Sequence, residues 1–438
     1  MVLAMEGCKK LIEVDPSKTE LTPDKVFADD QSATAAMSAI YIPFNSLISG
    51  SLTPILGLYS DELNTTSGDP FTLEFNDGAV SISNSYNLNI WKGFYGVIYQ
   101  CNALLEFIDI QPNVKPVTKQ QLKGEALFLR SLGYFYLVNL YGDVPLLVST
   151  DVKITSTAGR SNTLAVYKQI IEDLKNAGEL LSADYISEEK VRANKWAATA
   201  LLARVYLYRQ QWNEAEAAAN KVILSGTYGL NNNLNDVFKK NSHEAVLQFW
   251  TQNGYTQVGA LFNPADLELP VYPLSEGQLN SFEAGDARKD AWINTILNAG
   301  QLYSYPFKYK HKSTSNGDDG EYLMLMRLGE QYLIRAEARA RQNKLSEAIA
   351  DLNIIRNRAG LNDIAPNNQT EILQAIEKER RDEFFAEWGE RFFDLKRTGQ
   401  LNSTNSLNKP RWKSSGVLLP IPQYELLNNP NLTQNTGY

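Results

Sequence analysis

Histidine and cysteine are nearly missing from this chain, with two of each in 438 residues. Two cysteines cannot build a multi-bridge disulfide framework. His243 and His311 stand in no metal-ligand spacing with cysteine or with each other, and neither has the context of a Ser-His-Asp triad. There is no P-loop and no dinucleotide-type glycine fingerprint. An excess of basic charge is missing too. The 42 basic and 50 acidic residues are interspersed, net charge is −8, and no basic patch marks a nucleic-acid binder. No apolar run reads as long enough to span a bilayer, so membrane attachment would need a lipid.

What is present is a helical rhythm. Leu122, Ala126, Leu129, Gly133, Tyr136 and Leu140 recur at spacings of four and three, one apolar stripe on a helix. Gly142 then stands as a plausible cap. Val166 to Leu181 is a second amphipathic stretch, and Trp196, Ala200, Ala203 and Leu207 line a third. Two segments repeat each other, Ala200–Ile223 and Leu333–Ile355. Ala203 matches Ala336, Trp212 matches Leu345, and Ala215 matches Ala348. Each repeat reads as helix, tight turn, helix, with small alanines letting the two helices approach. That is tetratricopeptide-like periodicity. Residues 86–108 with 120–140, and 166–181 with 195–209, read as two more degenerate pairs; generic antiparallel helix pairs are the plainer alternative.

Two stretches break the rhythm. Residues 49–85 are rich in Ser, Thr, Asn, Gly and Asp. Residues 226–320 mix turn residues with Tyr, Trp and Phe. Long irregular segments with aromatics are more often functional than disordered, so the ligand-binding surface is expected there, on a helical frame spanning mainly 86–225 and 322–400. The 22 Tyr, 17 Phe and 7 Trp supply both core and a possible binding face.

No catalytic constellation stands out. The carboxylates between Glu379 and Asp394 invite a glycosidase reading, which needs a pair about 5–5.5 Å or about 6.5–9.5 Å apart. Glu377 with Arg381, and Glu387 with Arg391, stand at i,i+4 and instead predict ion pairs, which lower a carboxyl pKa. Asn316, Asp318, Asp319 and Glu321 could offer oxygens to Ca²⁺, but the spacing is not that of an EF-hand, and a solvated acidic turn is the simpler expectation. No metal, cofactor or catalytic residue is assigned. Cys101, in an apolar helical stretch, reads as a buried free thiol.

The end of the chain is the most specific part. ERRDEFFAEWGERFFDLKRTG (Glu379–Gly399) and LPIPQYELLNNPNLTQNTGY (Leu419–Tyr438) resemble the closing signature of the SusD/RagB family, surface nutrient-capture lipoproteins. Trp91, Tyr95, Ile98 and Asn102 resemble that family's W…Y..I…N helix, and Lys123–Leu146 resembles another of its blocks. Ala386-Glu387-Trp388 departs from the Phe-Glu often found there.

The resemblance implies an all-α, tetratricopeptide-like scaffold with a large irregular capping region. It implies a non-catalytic binder of oligosaccharides, or in some branches peptides, that delivers them to a SusC-like TonB-dependent outer-membrane transporter. A glycoside hydrolase on a helical scaffold is the remaining alternative. It also implies an N-terminal arm, residues 1–30, with Cys8 as the lipid-bearing residue at the outer-membrane surface; an exposed ordinary thiol is the alternative for Cys8. Met1–Gly7 lacks the basic and apolar parts of a signal peptide and reads as a replacement for it. Asp61, in YSDE, resembles an acidic position beside the glycan site. Trp91, Trp250, Tyr255 and Trp292 complete the candidate ligand residues, since sugar C–H faces sit well on aromatic rings.

Overall fold

A computed structural model describes residues 23–265, 268–315 and 317–438. Cys8 and most of the expected arm lie outside the described residues, as does Asn316. The first half is helical throughout. A short α1 (Pro23–Val26) leads to α2 (Asp30–Leu47), α3 (Thr53–Tyr59), α4 (Pro70–Asp77), α5 (Ser85–Phe107), α6 (Pro116–Tyr141), a one-turn α7 (Val152–Thr155), α8 (Thr163–Leu180), α9 (Lys195–Tyr208) and α10 (Trp212–Ile223). Side-chain oxygens of Asp29, Asp69, Asn84, Asn162 and Asn194 accept backbone N–H groups and fix where the longer helices begin.

The middle is less regular. β1 (Ala245–Phe249) is followed by short α11 (Gln257–Phe262), α12 (Glu276–Leu279) and α13 (Ala287–Trp292), then β2 (Ile293–Asn298), β3 (Gln301–Pro306) and β4 (Leu323–Arg327). β1 pairs antiparallel with β4, and β2 with β3. The chain closes with α14 (Leu328–Arg341), α15 (Leu345–Arg358), α16 (Gln369–Phe384), α17 (Glu390–Arg397), α18 (Leu401–Asn408) and α19 (Gln423–Asn428). The fold is all-α, with two small ribbons set into it.

The two sequence repeats are the pairs α9/α10 and α14/α15. Their turns match residue for residue, with Gln210 at φ 57° and Asn343 at φ 61°. Ala203, Ala215, Ala218 and Ala219 pack with Ile334 and Ala338, so the two pairs join directly through α10 and α14. α5 packs on α6, α6 on α8, and α8 on α9. Gly142 ends α6 at φ 76°. Cys101 is buried, and burial pushes its thiol up to about 12.

Three sequence expectations need correction. Residues 49–85 are not a loop region: a π-helical turn, Ile48–Leu52, carries α2 into α3, and all of Thr53–Tyr59 is buried. Ser49, Thr53, Ser60 and Thr72 are buried and Asn84 caps α5, while residues 60–69 and 78–84 stay irregular. Second, the helical run Asp30–Tyr59 is long and apolar enough to cross a membrane, although 61% of its most apolar stretch is buried inside the protein. Third, the i,i+4 ion pairs do not form. α16 ends at Phe384, and Ala386, Trp388 and Gly389 turn the chain with φ of 55°, 54° and 75° before α17. Glu387 therefore points to Lys308 and Arg327, while Arg391 reaches Asp61 and, at 3.7 Å, Glu377.

Candidate ligand-binding cleft

α2 and the π-helical turn that continues it present one polar edge. Thr34, Ser38, Asn45 and Ser49, four or seven residues apart, share a helix face with Tyr41 and Ile42. That edge forms one wall of a cleft of about 1040 Å³. The opposite side comes from residues 186–192 and from 249–260, just after β1. Trp250 lies at the rim, 49% exposed, with Ile42 and Ile186 also exposed around the opening. Tyr255 is half-buried in the same cleft, with Gln252, Asn253 and Gln257 beside it.

The cleft rests on a fixed base. Tyr41 donates its hydroxyl to Glu125 Oε2 at 2.8 Å, and Arg192 Nη2 donates to Glu125 Oε1 at 2.8 Å. Arg192 Nη1 reaches Ser38 Oγ at 2.9 Å. Burial opposes the Arg192 charge, but Glu125 outweighs it and the guanidinium pKa rises. Asn45 Nδ2 donates to the Trp250 carbonyl at 3.2 Å, tying the rim to α2. Ser49 Oγ donates to the Asn45 carbonyl at 2.6 Å. On the far wall Tyr322 donates to Glu189 Oε1 at 2.7 Å. Glu189 is the single carboxylate among the described lining residues.

Chemically this is a half-open groove with apolar rim surfaces, amides and hydroxyls, in which Arg192 is paired to Glu125 and Glu189 accepts the Tyr322 hydroxyl. Amides and hydroxyls both donate and accept, which suits a neutral hydroxyl-rich ligand.

The cleft brings together two of the five expected ligand residues, Trp250 and Tyr255. The others are elsewhere. Asp61 is held by Arg391 and Arg381 in a nearly buried ion pair. Trp292 has no exposed surface, donates its Nε1–H to the Leu234 carbonyl at 3.0 Å, and has Lys308 Nζ at 4.7 Å over its ring. It is a core residue. Trp91 lies two turns inside α5, packed edge-on to Tyr141 at 4.9 Å and against Tyr95 at 5.0 Å. It borders a separate hollow of about 460 Å³ and does not reach the cleft.

The acidic turn is also accounted for in part. Asp319 takes Lys239 at 2.9 Å, and Glu321 accepts the Lys310 and His311 backbone N–H groups. Among the described residues no cluster of three acidic, His or Cys side chains could hold a metal. The sequence reading missed the polar edge of α2, whose four-and-seven spacing was its available signal. It missed Arg192 and Glu125 because only the fold brings them together.

Comparison with known proteins agrees on one family. Residues 17–207 match a family model described as starch-binding, associating with outer membrane, and residues 288–438 match the SusD family model. A SusD-like protein of Formosa agariphila is 23% identical, covering 100% of this chain and 98% of its own. The starch-binding protein SusD of Bacteroides thetaiotaomicron is 25% identical over 76% of this chain and 75% of its own. Among solved structures, a SusD superfamily protein from Bacteroides vulgatus superposes with a TM-score of 0.82 at 22% identity, over 94% of this chain and all of the other. A laminarin-binding SusD-like protein gives a TM-score of 0.81 at 25% identity, with coverage of 94% and 100%.

Proposed function

Because this chain belongs to the SusD/RagB family, we propose that it binds oligosaccharides without cleaving them and delivers them to a SusC-like TonB-dependent outer-membrane transporter. The observation that carries the reading is the cleft itself: a half-exposed Trp250 and a half-buried Tyr255 over an amide-lined groove that holds one carboxylate. Relatives named for binding starch and laminarin support the ligand class. The outer-membrane association of the family supports the location. Lipid attachment at Cys8, which would tether the protein on the cell surface, belongs to the same proposal. One acyl chain binds membranes only marginally, so the anchor would carry two or more.

A groove of this kind buries limited area and must desolvate many hydroxyls. The expected Kd is about 1 μM to 1 mM, or about −8 to −4 kcal/mol, weak enough for rapid release. Titration of the purified protein with neutral glycans, followed by chromatography of the glycan, tests both halves. Binding with an intact glycan is the expected result. Shortened products would make it a hydrolase, and binding confined to peptides would move it to the peptide branch.

A further inference from the structure

A second hollow, of about 800 Å³, opens between residues 226–233 and 236–243. Its lining is dominated by amides: Asn231, Asn232, Asn233 and Asn241, with Tyr228 and His243. Asn231 is only 8% exposed, and its Oδ1 accepts no hydrogen bond. Its Nδ2 reaches Ser242 Oγ only at 3.5 Å. A buried amide oxygen left without a donor is costly, and a small shift of the Asn231 side chain would bring it to a hydroxyl placed in the hollow.

The charges beside it are already matched. Lys239 Nζ lies 3.1 Å from Asp236 Oδ1 and 2.9 Å from Asp319 Oδ1, and Asn233 Nδ2 donates to Asp236 Oδ2 at 3.0 Å. What is left for a ligand is a set of groups that each donate and accept, the complement of a neutral polyol.

Lys190 connects the hollow and the cleft, with its Nζ 5.3 Å from the ring centroid of Tyr228 in the hollow. Lys190 Nζ donates to the Ser242 carbonyl at 3.0 Å, behind the hollow, while its neighbours Glu189 and Val191 line the cleft. We propose that the hollow is a second saccharide site, and that a neutral polysaccharide crossing residues 187–192 occupies both at once. The proposal rests on the cleft being the first glycan site. Linking two weak contacts on one chain converts the second into an intramolecular event and raises the overall affinity without new contacts.

Gly229 offers a clean test. A Cβ there would meet nothing within 4 Å, its φ is not left-handed, and its N–H to the His243 carbonyl survives substitution. Gly229→Phe should plug the hollow, and Asn231→Leu should remove its buried acceptor. Each is titrated, beside wild type and Trp250→Ala, with soluble starch, laminarin, xyloglucan and galactomannan, and with the trisaccharide of whichever polymer binds. Circular dichroism and melting temperature confirm folding. Both hollow variants should bind the polymer more weakly, on the order of 10²-fold, with trisaccharide affinity in the cleft unchanged. Wild-type polymer affinity in both hollow variants overturns the second site, and so does a wild-type protein that binds none of the four polymers. Loss of trisaccharide binding in Trp250→Ala tests the cleft separately, so failure of the cleft is distinguishable from failure of the hollow.

Discussion

Arg391 grips Asp61 through two hydrogen bonds, Nε to Oδ1 at 2.7 Å and Nη2 to Oδ2 at 3.0 Å, across 330 residues of chain. Arg381 adds a contact at 3.3 Å. The closing segment of the chain is thereby fastened to the turn after α3. An acidic residue that resembled a ligand contact is a structural clasp in this fold, and the distinction is measurable.

Asp61→Ala should leave two largely buried arginines without their carboxylate. Breaking such a pair costs about 3–5 kcal/mol. Glycan affinity per folded molecule should be unchanged. The pH dependence has a definite sign. Burial raises the Asp61 pKa, but Arg391 and then Arg381 bring it below the ordinary 3.8. Its stabilisation is therefore complete above that value and lost as pH falls through the lower folded value. Weaker glycan binding in a variant that melts like wild type would contradict the clasp.

The tryptophans should divide in the same experiment. Trp292→Ala removes a fully buried ring and should cost about 3–5 kcal/mol of stability. Trp250→Ala should change the melting temperature little and weaken glycan binding by about 1–2 kcal/mol. Thermal melts paired with calorimetry separate them. A Trp250 variant that unfolds easily and binds normally would remove it from the site.

The sequence carried the frame well because its signals are local. Alanines at matching positions, and turns at Gln210 and Asn343, depend only on residues within one repeat. The aromatic positions were less legible. Composition shows that Trp91, Trp250 and Trp292 are bulky, not which way they face. Only the tertiary placement of β1 turns Trp250 outward while Trp292 packs against Phe238 at 5.6 Å. The ion pairs failed for a sharper reason. The i,i+4 rule assumes one continuous helix, and three left-handed residues at 386, 388 and 389 break it for Glu387 and Arg391, whereas inside α16 Arg381 is drawn away from Glu377 to Asp61 and Gln278.

Gly389 is where that break is enforced. Its φ is +75°, and a Cβ there would lie 2.4 Å from Leu56 Cδ1. Gly389→Ala combines a left-handed strain of about 1–2 kcal/mol with that clash. It should destabilise by about 2–5 kcal/mol in denaturant titrations, since overpacking adds about 1–3 kcal/mol. Gly226→Ala is the control: φ is similarly positive at +70°, but nothing lies within 4 Å, so only the strain remains. Equal losses in the two variants would show that contact with Leu56 carries no cost.

The adjacent carboxyls Asp61 and Glu62 are driven in opposite directions, which gives the protein a pH response of its own. Asp61 stays charged against two arginines, whereas Glu62 is 1% exposed, and burial, then the Asp61 charge, push its pKa from 4.5 to about 8. Between those values the folded state holds a proton that the unfolded chain has released. The Glu62 contribution is thus fully present below 4.5 and declines as pH rises through about 8. The slope is at most about 1.4 kcal/mol per pH unit for one proton. Glu62→Gln keeps the shape and removes the titration. Its melting temperature should be near wild type at pH 5, exceed wild type at pH 8, and fall less steeply between them. Glu321, raised to about 7 chiefly by burial, leaves a residual slope in both proteins. Parallel curves for Glu62→Gln and wild type would mean that Glu62 is ionised in the folded state at neutral pH, and that Arg391 and Lys308 outweigh its burial.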